Sequence, residues 1–143
     1  MFLGEYQHSI DGKGRVILPA KFRDELGEKF FITIGLDSCL FIFSAEEWES
    51  FSDRLRQLSL AKSEARAFLR FFFSGASELE CDKQGRVLIP PSLREYGECK
   101  KDLIVVGVGN RIEIWDQEKW NEYNSGMISE VTQIAEQLVE LGI

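Results

Sequence analysis

Short apolar runs bounded by turn residues alternate along this chain with stretches of helical periodicity. Branched and aromatic residues dominate the apolar runs, and these residue types favour the half-buried surface of a β-sheet. We predict strands at 1–10, 16–18, 30–34, 40–43, 87–89, 103–106 and 112–115. Capping residues or proline precede the helical stretches. We predict helices at 20–26, from Ser44, across 55–73, at 90–96 and from Asp116. The mixture predicts the α+β fold class.

One stretch of this pattern occurs twice. Asp11-Gly12-Lys13-Gly14-Arg15-Val16-Ile17-Leu18-Pro19 returns as Asp82-Lys83-Gln84-Gly85-Arg86-Val87-Leu88-Ile89-Pro90. In both copies an Asp and an Arg four residues apart bracket a glycine-containing turn, and three apolar residues and a proline follow. A second series, from Gly35 to Trp48, matches Gly107 to Trp120 at one constant offset. Two independent blocks of matches indicate an internal duplication.

The duplication predicts how the chain is organised. Each unit has only about 45 residues, which is near the lower limit for a stable independent core. We therefore expect the two units to fold together, with strands paired across a pseudo-two-fold axis. The predicted divisions are a first repeat at 5–47, linker helices at 48–75, a second repeat at 76–119 and a C-terminal helix at 120–143.

Charge is distributed unevenly along the chain, whose formal net charge is −7. Residues 11–23 contain four basic side chains and one acidic side chain, whereas residues 116–143 contain six acidic side chains and one lysine. A local basic patch is compatible with nucleic-acid binding even in an acidic protein. Two basic turns related by symmetry also suit pseudo-symmetric DNA.

Several features have a purely structural interpretation. Asp11 and Asp82 each anchor their own turn by pairing with the arginine four residues on. Lys62, Arg66 and Arg70 form a basic stripe at helical spacing, which we interpret as salt-bridging within or between subunits. A second stripe has heptad-like spacing and is expected to pack on the domain or on a neighbouring subunit. It consists of Met127, Val131, Ile134, Leu138 and Leu141.

Other chemistries find little support in the residues. The single histidine, His8, lacks a ligand set, and Cys39, Cys81 and Cys99 are too scattered for a zinc site, so we expect reduced thiols with packing roles. No catalytic triad, P-loop or dinucleotide fingerprint is present. No apolar run approaches the roughly 18 residues that span a bilayer, and the N-terminus does not resemble a signal peptide. We expect a cytoplasmic protein, not an enzyme, with no cofactor, metal or small-molecule substrate.

The doubled Asp-x-x-x-Arg turn with its following apolar triplet and proline resembles the MraZ family, bacterial regulators built from two AbrB-like (SpoVT-AbrB) units. The linker from Arg66 to Ala76 and the segment Glu113-Ile114-Trp115-Asp116 are also similar to that family. The resemblance implies a swapped-hairpin AbrB-like β-barrel formed as a pseudo-dimer with flanking helices. It further implies a ring-shaped homo-oligomer and a DNA-binding, nucleoid-associated transcriptional regulator. Such regulators act on the promoter of their own cell-division and cell-wall gene cluster.

The resemblance also implies roles for individual residues. Asp11, Gly14 and Arg15 match the first motif, and Asp82, Gly85 and Arg86 match the second. Arginines held this way can contact guanine, and the remaining basic residues suit the phosphate backbone of double-stranded DNA. On this chemistry, the predicted DNA-binding residues are Lys13, Arg15, Lys21, Arg23, Lys83 and Arg86. Gln84 stands where the first turn has Lys13, so the second turn is expected to be less basic.

Two further expectations complete this interpretation. A ring that presents the same face repeatedly gains avidity, so we expect an operator of several short tandem repeats spaced near one helical turn of about 10 bp. The alternative function is an antitoxin-like protein-interaction module, because AbrB-like units also occur in antitoxins. Antitoxins of that kind usually carry one unit and a flexible toxin-binding tail, whereas this tail has helical periodicity.

Overall fold

The computed structural model describes residues 1–142 and confirms the α+β class. Within these residues the chain forms eight strands, five α-helices and a short 3-10 helix at Val139–Leu141. The strands are β1 (Phe2–Ser9), β2 (Arg15–Ile17), β3 (Phe30–Ile34), β4 (Leu40–Ser44), β5 (Ser77–Leu79), β6 (Arg86–Leu88), β7 (Asp102–Gly109) and β8 (Ile112–Asp116). The helices are α1 (Ala20–Leu26), α2 (Ala45–Arg56), α3 (Ser63–Ser74), α4 (Pro91–Tyr96) and α5 (Gln117–Gln137).

The strands form two antiparallel sheets. Six strands pair in the order β1-β7-β8-β4-β3-β5, and β2 pairs with β6 in a separate two-stranded ribbon. The pairs β1–β7, β2–β6, β3–β5 and β4–β8 each join a strand of the first half of the chain to a strand of the second half. The halves are therefore connected by main-chain hydrogen bonds along most of their strands. The closed swapped-hairpin barrel stays a prediction.

The central strands β8, β4 and β3 of the six-stranded sheet bury side chains on both faces, whereas the edge strands β1 and β5 are mostly exposed or half-buried. Alternate side chains of a strand point to opposite faces, and on β4 Leu40 and Ile42 belong to one core cluster while Phe41 and Phe43 belong to another. The first cluster includes Val16 of the ribbon and residues of α1 and α4. The second contains residues of α2 and α3, and Trp120 of α5 packs against it. The ribbon and the helices α2, α3 and α5 thus lie on opposite sides of the sheet.

Several sequence predictions are corrected at their edges. The helix predicted from Ser44 is α2, whereas the helix predicted across 55–73 begins only at Ser63, as α3. β5 was not predicted because its three residues carry little apolar pattern. The strand predicted at 103–106 is longer, because β7 continues to Gly109 and pairs with β1 along its whole length. Ser44 caps α2 as predicted by accepting from the Glu47 N–H at 3.2 Å. Asp116 precedes α5 without a side-chain cap, and its carboxylate accepts from the Lys100 N–H instead.

The C-terminal helix α5 is the least packed of the five α-helices within residues 1–142. It has no buried residue, and Val131 and Ile134 of the heptad-like stripe are exposed. The helix ends at Gln137, so Leu138 and Leu141 lie beyond it. Within residues 1–142, Met127 is half-buried and the other four members of the stripe are exposed, so most of the stripe does not pack on its own domain. No helix within residues 1–142 has both the length and the apolar character that crossing a bilayer requires.

Candidate nucleic-acid interface

The first turn is built around the carboxylate of Asp11. Its Oδ1 accepts from the backbone N–H groups of Lys13 and Arg15, both at 2.9 Å, and its Oδ2 accepts from the Arg15 Nε–H at 2.8 Å. The Asp11 N–H donates to the Arg15 carbonyl and the Gly14 N–H to the Asp11 carbonyl, at 2.9 and 3.0 Å. One side chain therefore holds both the loop and the arginine.

The second turn repeats this network. Asp82 Oδ1 accepts from the N–H groups of Gln84 and Arg86, both at 2.9 Å, and Oδ2 accepts from the Arg86 Nε–H at 2.7 Å. The two main-chain bonds that close the turn have the same lengths as in the first copy, 2.9 and 3.0 Å. The duplication seen in the sequence is thus a duplication of geometry at this site.

Hydrogen bonding to the ionised carboxylate lowers the pKa of both aspartates. The Arg15 backbone N–H is the largest cause at Asp11, followed among the lowering causes by the Arg15 side chain, and together they hold its pKa at about 2. The pKa of Asp82 is lowered by the equivalent donors of Arg86. Both aspartates are therefore ionised at neutral pH, and each forms an ion pair with its arginine. The pair uses only the Nε–H of the arginine, so the terminal nitrogens keep their N–H donors for other partners.

Each turn is covered by an arginine from the other half of the chain. Gly14 and Gly85 have φ of +85° and +79°, a region that L side chains rarely adopt. A Cβ at Gly14 would lie 2.5 Å from Cζ of Arg94, and a Cβ at Gly85 would meet the Arg23 guanidinium in the same way. The positive φ therefore favours glycine at both positions, and a larger residue there would also force the covering arginine to move.

The ribbon joins the two turns into one surface. The first turn precedes β2 and the second precedes β6, and these strands are antiparallel, so the turns lie at opposite ends of the ribbon. The Leu18 N–H donates to the Gly85 carbonyl at 3.1 Å, and the Ile89 N–H donates to the Gly14 carbonyl at 2.9 Å. Strands of three residues, at about 3.4 Å each, keep the turns on the order of 10 Å apart.

The sequence-predicted basic residues occupy different environments. Lys13, Lys21 and Lys83 are exposed, and Arg15 and Arg86 are half-buried in their ion pairs. Arg23 is half-buried against Gly85, and its Nε has no hydrogen-bond partner within the described chain. Arg94 is its counterpart over Gly14 and has the same unpartnered Nε. Arg94 was not among the sequence-predicted site residues, although its match to Arg23 in the repeat was a signal that could have identified it.

The described residues 1–142 contain neither a metal-binding cluster nor a reactive thiol. No group of three or more potential metal-ligating side chains occurs there. Cys39, Cys81 and Cys99 are free thiols, as expected, and burial raises the pKa of each of them, that of Cys99 to about 11. These thiols are therefore protonated and weakly nucleophilic at neutral pH.

The fold and the site together define a class: duplicated α+β proteins that present two like Asp-x-x-x-Arg turns on one two-stranded ribbon. The family described as "MraZ protein, putative antitoxin-like" matches the chain twice, at residues 1–71 and 72–141. Transcriptional regulator MraZ of Syntrophomonas wolfei is 53% identical over 143 residues, covering all of both chains. The proteins of the same name from Acetivibrio thermocellus and Carboxydothermus hydrogenoformans are 54% and 53% identical, covering 100% and 98% of both chains. The chain belongs to the MraZ family.

Proposed function

We propose that this transcriptional regulator binds double-stranded DNA sequence-specifically through the β2–β6 ribbon and its two turns. Family membership supports the regulatory class. The observation that carries the DNA-binding proposal is the pair of aspartate-anchored arginines, Arg15 and Arg86, on one exposed ribbon. The major groove of B-DNA admits a two-stranded β-ribbon.

The anchored arginines are suited to reading guanine. Within residues 1–142 the only hydrogen-bond acceptor of the Arg15 side chain is Asp11, which takes the Nε–H, and Arg86 has the same relation to Asp82. The terminal nitrogens keep their donors for guanine O6 and N7, a contact worth roughly 1–3 kcal/mol of discrimination. Because the aspartate already orients each guanidinium, little side-chain freedom is lost on binding.

The remaining basic residues suit the phosphate backbone. Lys13, Lys21 and Lys83 are exposed beside the turns, and phosphate contacts provide much of the affinity and its dependence on salt. Arg23 belongs to this set with its counterpart Arg94, and both also cover the glycine of the opposite turn. The acidic C-terminal helix repels DNA, so docking is restricted to the ribbon side.

Assembly into a ring is part of the proposal, and two unpartnered apolar surfaces support it. A groove of about 370 Å³ between α2 and α3 is lined by Phe51, Leu55, Leu58, Phe68 and Arg54. Helix α5 carries the exposed apolar side chains Ile128, Val131 and Ile134. Within the described chain Lys62, Arg66 and Arg70 make no salt bridge, so the intrachain part of that interpretation finds no support.

The occupant of this groove is the α5 helix of a second copy. The exposed apolar side chains of α5 match the apolar lining of the groove, and a contact between two different surfaces generates rings when its rotation closes. A chain ending after Tyr123 keeps the groove without the tail, and Phe68→Glu keeps the tail without the groove. We expect light scattering to find each variant monomeric and an equimolar mixture to form dimers through the one intact contact. A mixture that stays monomeric, or single variants that keep the full mass, would reject this contact.

A ring of such subunits suits an operator of short tandem repeats upstream of the protein's own gene, within a cell-division and cell-wall cluster. Linked contacts raise avidity by roughly 10²–10⁴ where geometry permits. The repeats are expected about 10 bp apart, so that each faces the ring from one side of the duplex. A location on the nucleoid follows from this function.

A mobility-shift titration on the chain's own upstream DNA, against a scrambled duplex at physiological salt, tests the proposal. We expect Arg15→Ala to weaken specific binding about 10- to 100-fold, the equivalent of one lost bidentate contact. Arg56→Ala is the matched control, because Arg56 also pairs with an aspartate, Asp53, but lies on α2 across the sheet. Equal affinity for both duplexes, or unchanged binding by Arg15→Ala, would refute DNA reading by the turn.

The antitoxin-like alternative differs from the DNA-binding proposal in the role of the C-terminal segment, which in antitoxins binds the toxin. The segment after the second unit is not a flexible toxin-binding tail over most of its length, because α5 is a helix of 21 residues. The two turns with matching networks also have no evident use in capturing a toxin. A cell-wall gene cluster beside this gene supports the regulator, whereas an adjacent small toxin gene supports the alternative.

A further inference from the structure

The outward face of the ribbon holds four side chains in a compact patch. Val16 and Val87 point into the core with 1% exposure, so the residues on either side of them point outward. The register places Arg15 opposite Leu88 and Ile17 opposite Arg86. Facing residues of an antiparallel pair have Cβ atoms about 5 Å apart. Each arginine therefore has an apolar side chain from the other strand directly beside it.

The two apolar members of this patch are exposed. Ile17 is 45% and Leu88 is 52% exposed, although a threonine or lysine would suit a solvated strand position. A single exposed apolar residue needs no explanation. Here, however, both halves of the chain place one at the equivalent position, between the two arginines proposed to read bases. The pattern is a two-fold apolar and basic patch at the centre of the candidate interface.

We infer that Ile17 and Leu88 form a binding site for the 5-methyl groups of thymine in the major groove. The inference rests on the proposed function, DNA binding through this ribbon. Thymine presents a methyl group there, and apolar side chains are its natural partners. Successive base pairs are about 3.4 Å apart, so side chains about 5 Å apart contact neighbouring base pairs. Each half of the patch therefore reads a guanine and a nearby thymine.

Replacing thymine by deoxyuridine in the operator tests this directly, because uracil keeps every hydrogen-bonding group and lacks only the methyl. We expect the wild-type protein to bind about fourfold more weakly for each contacted methyl removed, the ratio that one buried CH₂ equivalent gives. The double variant Ile17→Ser/Leu88→Ser should bind the thymine and uracil duplexes equally. Val108→Ser is the matched control, because Val108 is also an exposed apolar strand residue but lies outside the ribbon, on β7.

The outcomes separate this inference from the function beneath it. If the wild type prefers its operator over scrambled DNA but binds thymine and uracil operators within twofold at every position, the methyl-reading inference is wrong and DNA binding stands. If the double variant keeps the full preference for thymine, the inference is also wrong. If the wild type does not prefer its operator over scrambled DNA, the proposed function is wrong, and the methyl-reading inference that rests on it is wrong as well.

Discussion

The first turn and the second turn have the same main-chain frame and different exposed charges. Asp, Gly and Arg occupy equivalent positions in both, and the hydrogen-bond lengths agree within 0.1 Å. The lysine, however, stands third in one turn, as Lys13, and second in the other, as Lys83. Helix α1 adds Lys21 where α4 has Ser92. Residues that make the frame are duplicated, whereas residues that only face solvent have diverged.

The largest expected effect comes from removing both reading arginines. Arg15→Ala and Arg86→Ala should each weaken specific binding about 10- to 100-fold, and by similar factors, because their frames are the same. The chain carrying both changes should lose most of its preference for operator over scrambled DNA and keep only the few-fold part that Ile17 and Leu88 contribute. A titration by fluorescence anisotropy measures all three. If Arg86→Ala has no effect while Arg15→Ala does, the geometric equivalence of the turns is not a functional one.

The next effect concerns the glycines. Gly14→Ala and Gly85→Ala each introduce a Cβ at a residue with positive φ, which costs roughly 1–2 kcal/mol. In each variant the new Cβ also meets the covering arginine, which must move. The free energy of unfolding, measured with urea, should fall by at least that amount in both variants. Gly12→Ala is the control, since nothing lies within 4 Å of its Cβ position and its φ is not positive. An equal loss in all three variants would contradict the special role of the two covered glycines.

A smaller effect on DNA binding is expected from Lys13 and Lys83, which occupy different positions in the two turns. Lys13→Gln and Lys83→Gln should weaken binding to operator and scrambled DNA by the same few-fold factor, because a phosphate contact carries no sequence information. Each should also lower the slope of log K against log salt by about one unit. Titrations at several salt concentrations give the slope. A change in specificity with an unchanged slope would show that the lysine contacts a base instead.

The smallest effect is a change in the pKa of Asp11. Its pKa of about 2 lies below the ordinary value, so the turn's stabilisation is complete above about pH 4 and is lost as the pH falls through about 2. Arg15→Ala removes the side-chain bond but keeps the backbone N–H, which is the largest cause, so the pKa should rise only partly. Carboxyl NMR titration measures this. A full return to the ordinary value would mean that the loop itself had opened.

Local patterns were sufficient for much of the organisation. The repeat, the Asp–Arg anchor, helix α1 at Ala20–Leu26 and strand β3 at Phe30–Ile34 were all predicted with the bounds or partners that the structure has. Each depends on residues within a few positions of one another, where propensity, capping and short-range pairing decide. Strand β5 and the non-helical segment 57–62 between α2 and α3 were missed, because short segments carry little periodicity.

The chain alone determined that two similar units exist and which aspartate holds which arginine, because those interactions are local. Only the tertiary structure decided that β2 and β6 form one ribbon, that Arg23 covers Gly85 and Arg94 covers Gly14, and that Ile17 and Leu88 stand beside the opposite arginines. These contacts join residues about seventy positions apart, and no local preference encodes them. They arise because neither unit can bury its apolar strands alone, so the two halves complete one core and bring their turns to one surface.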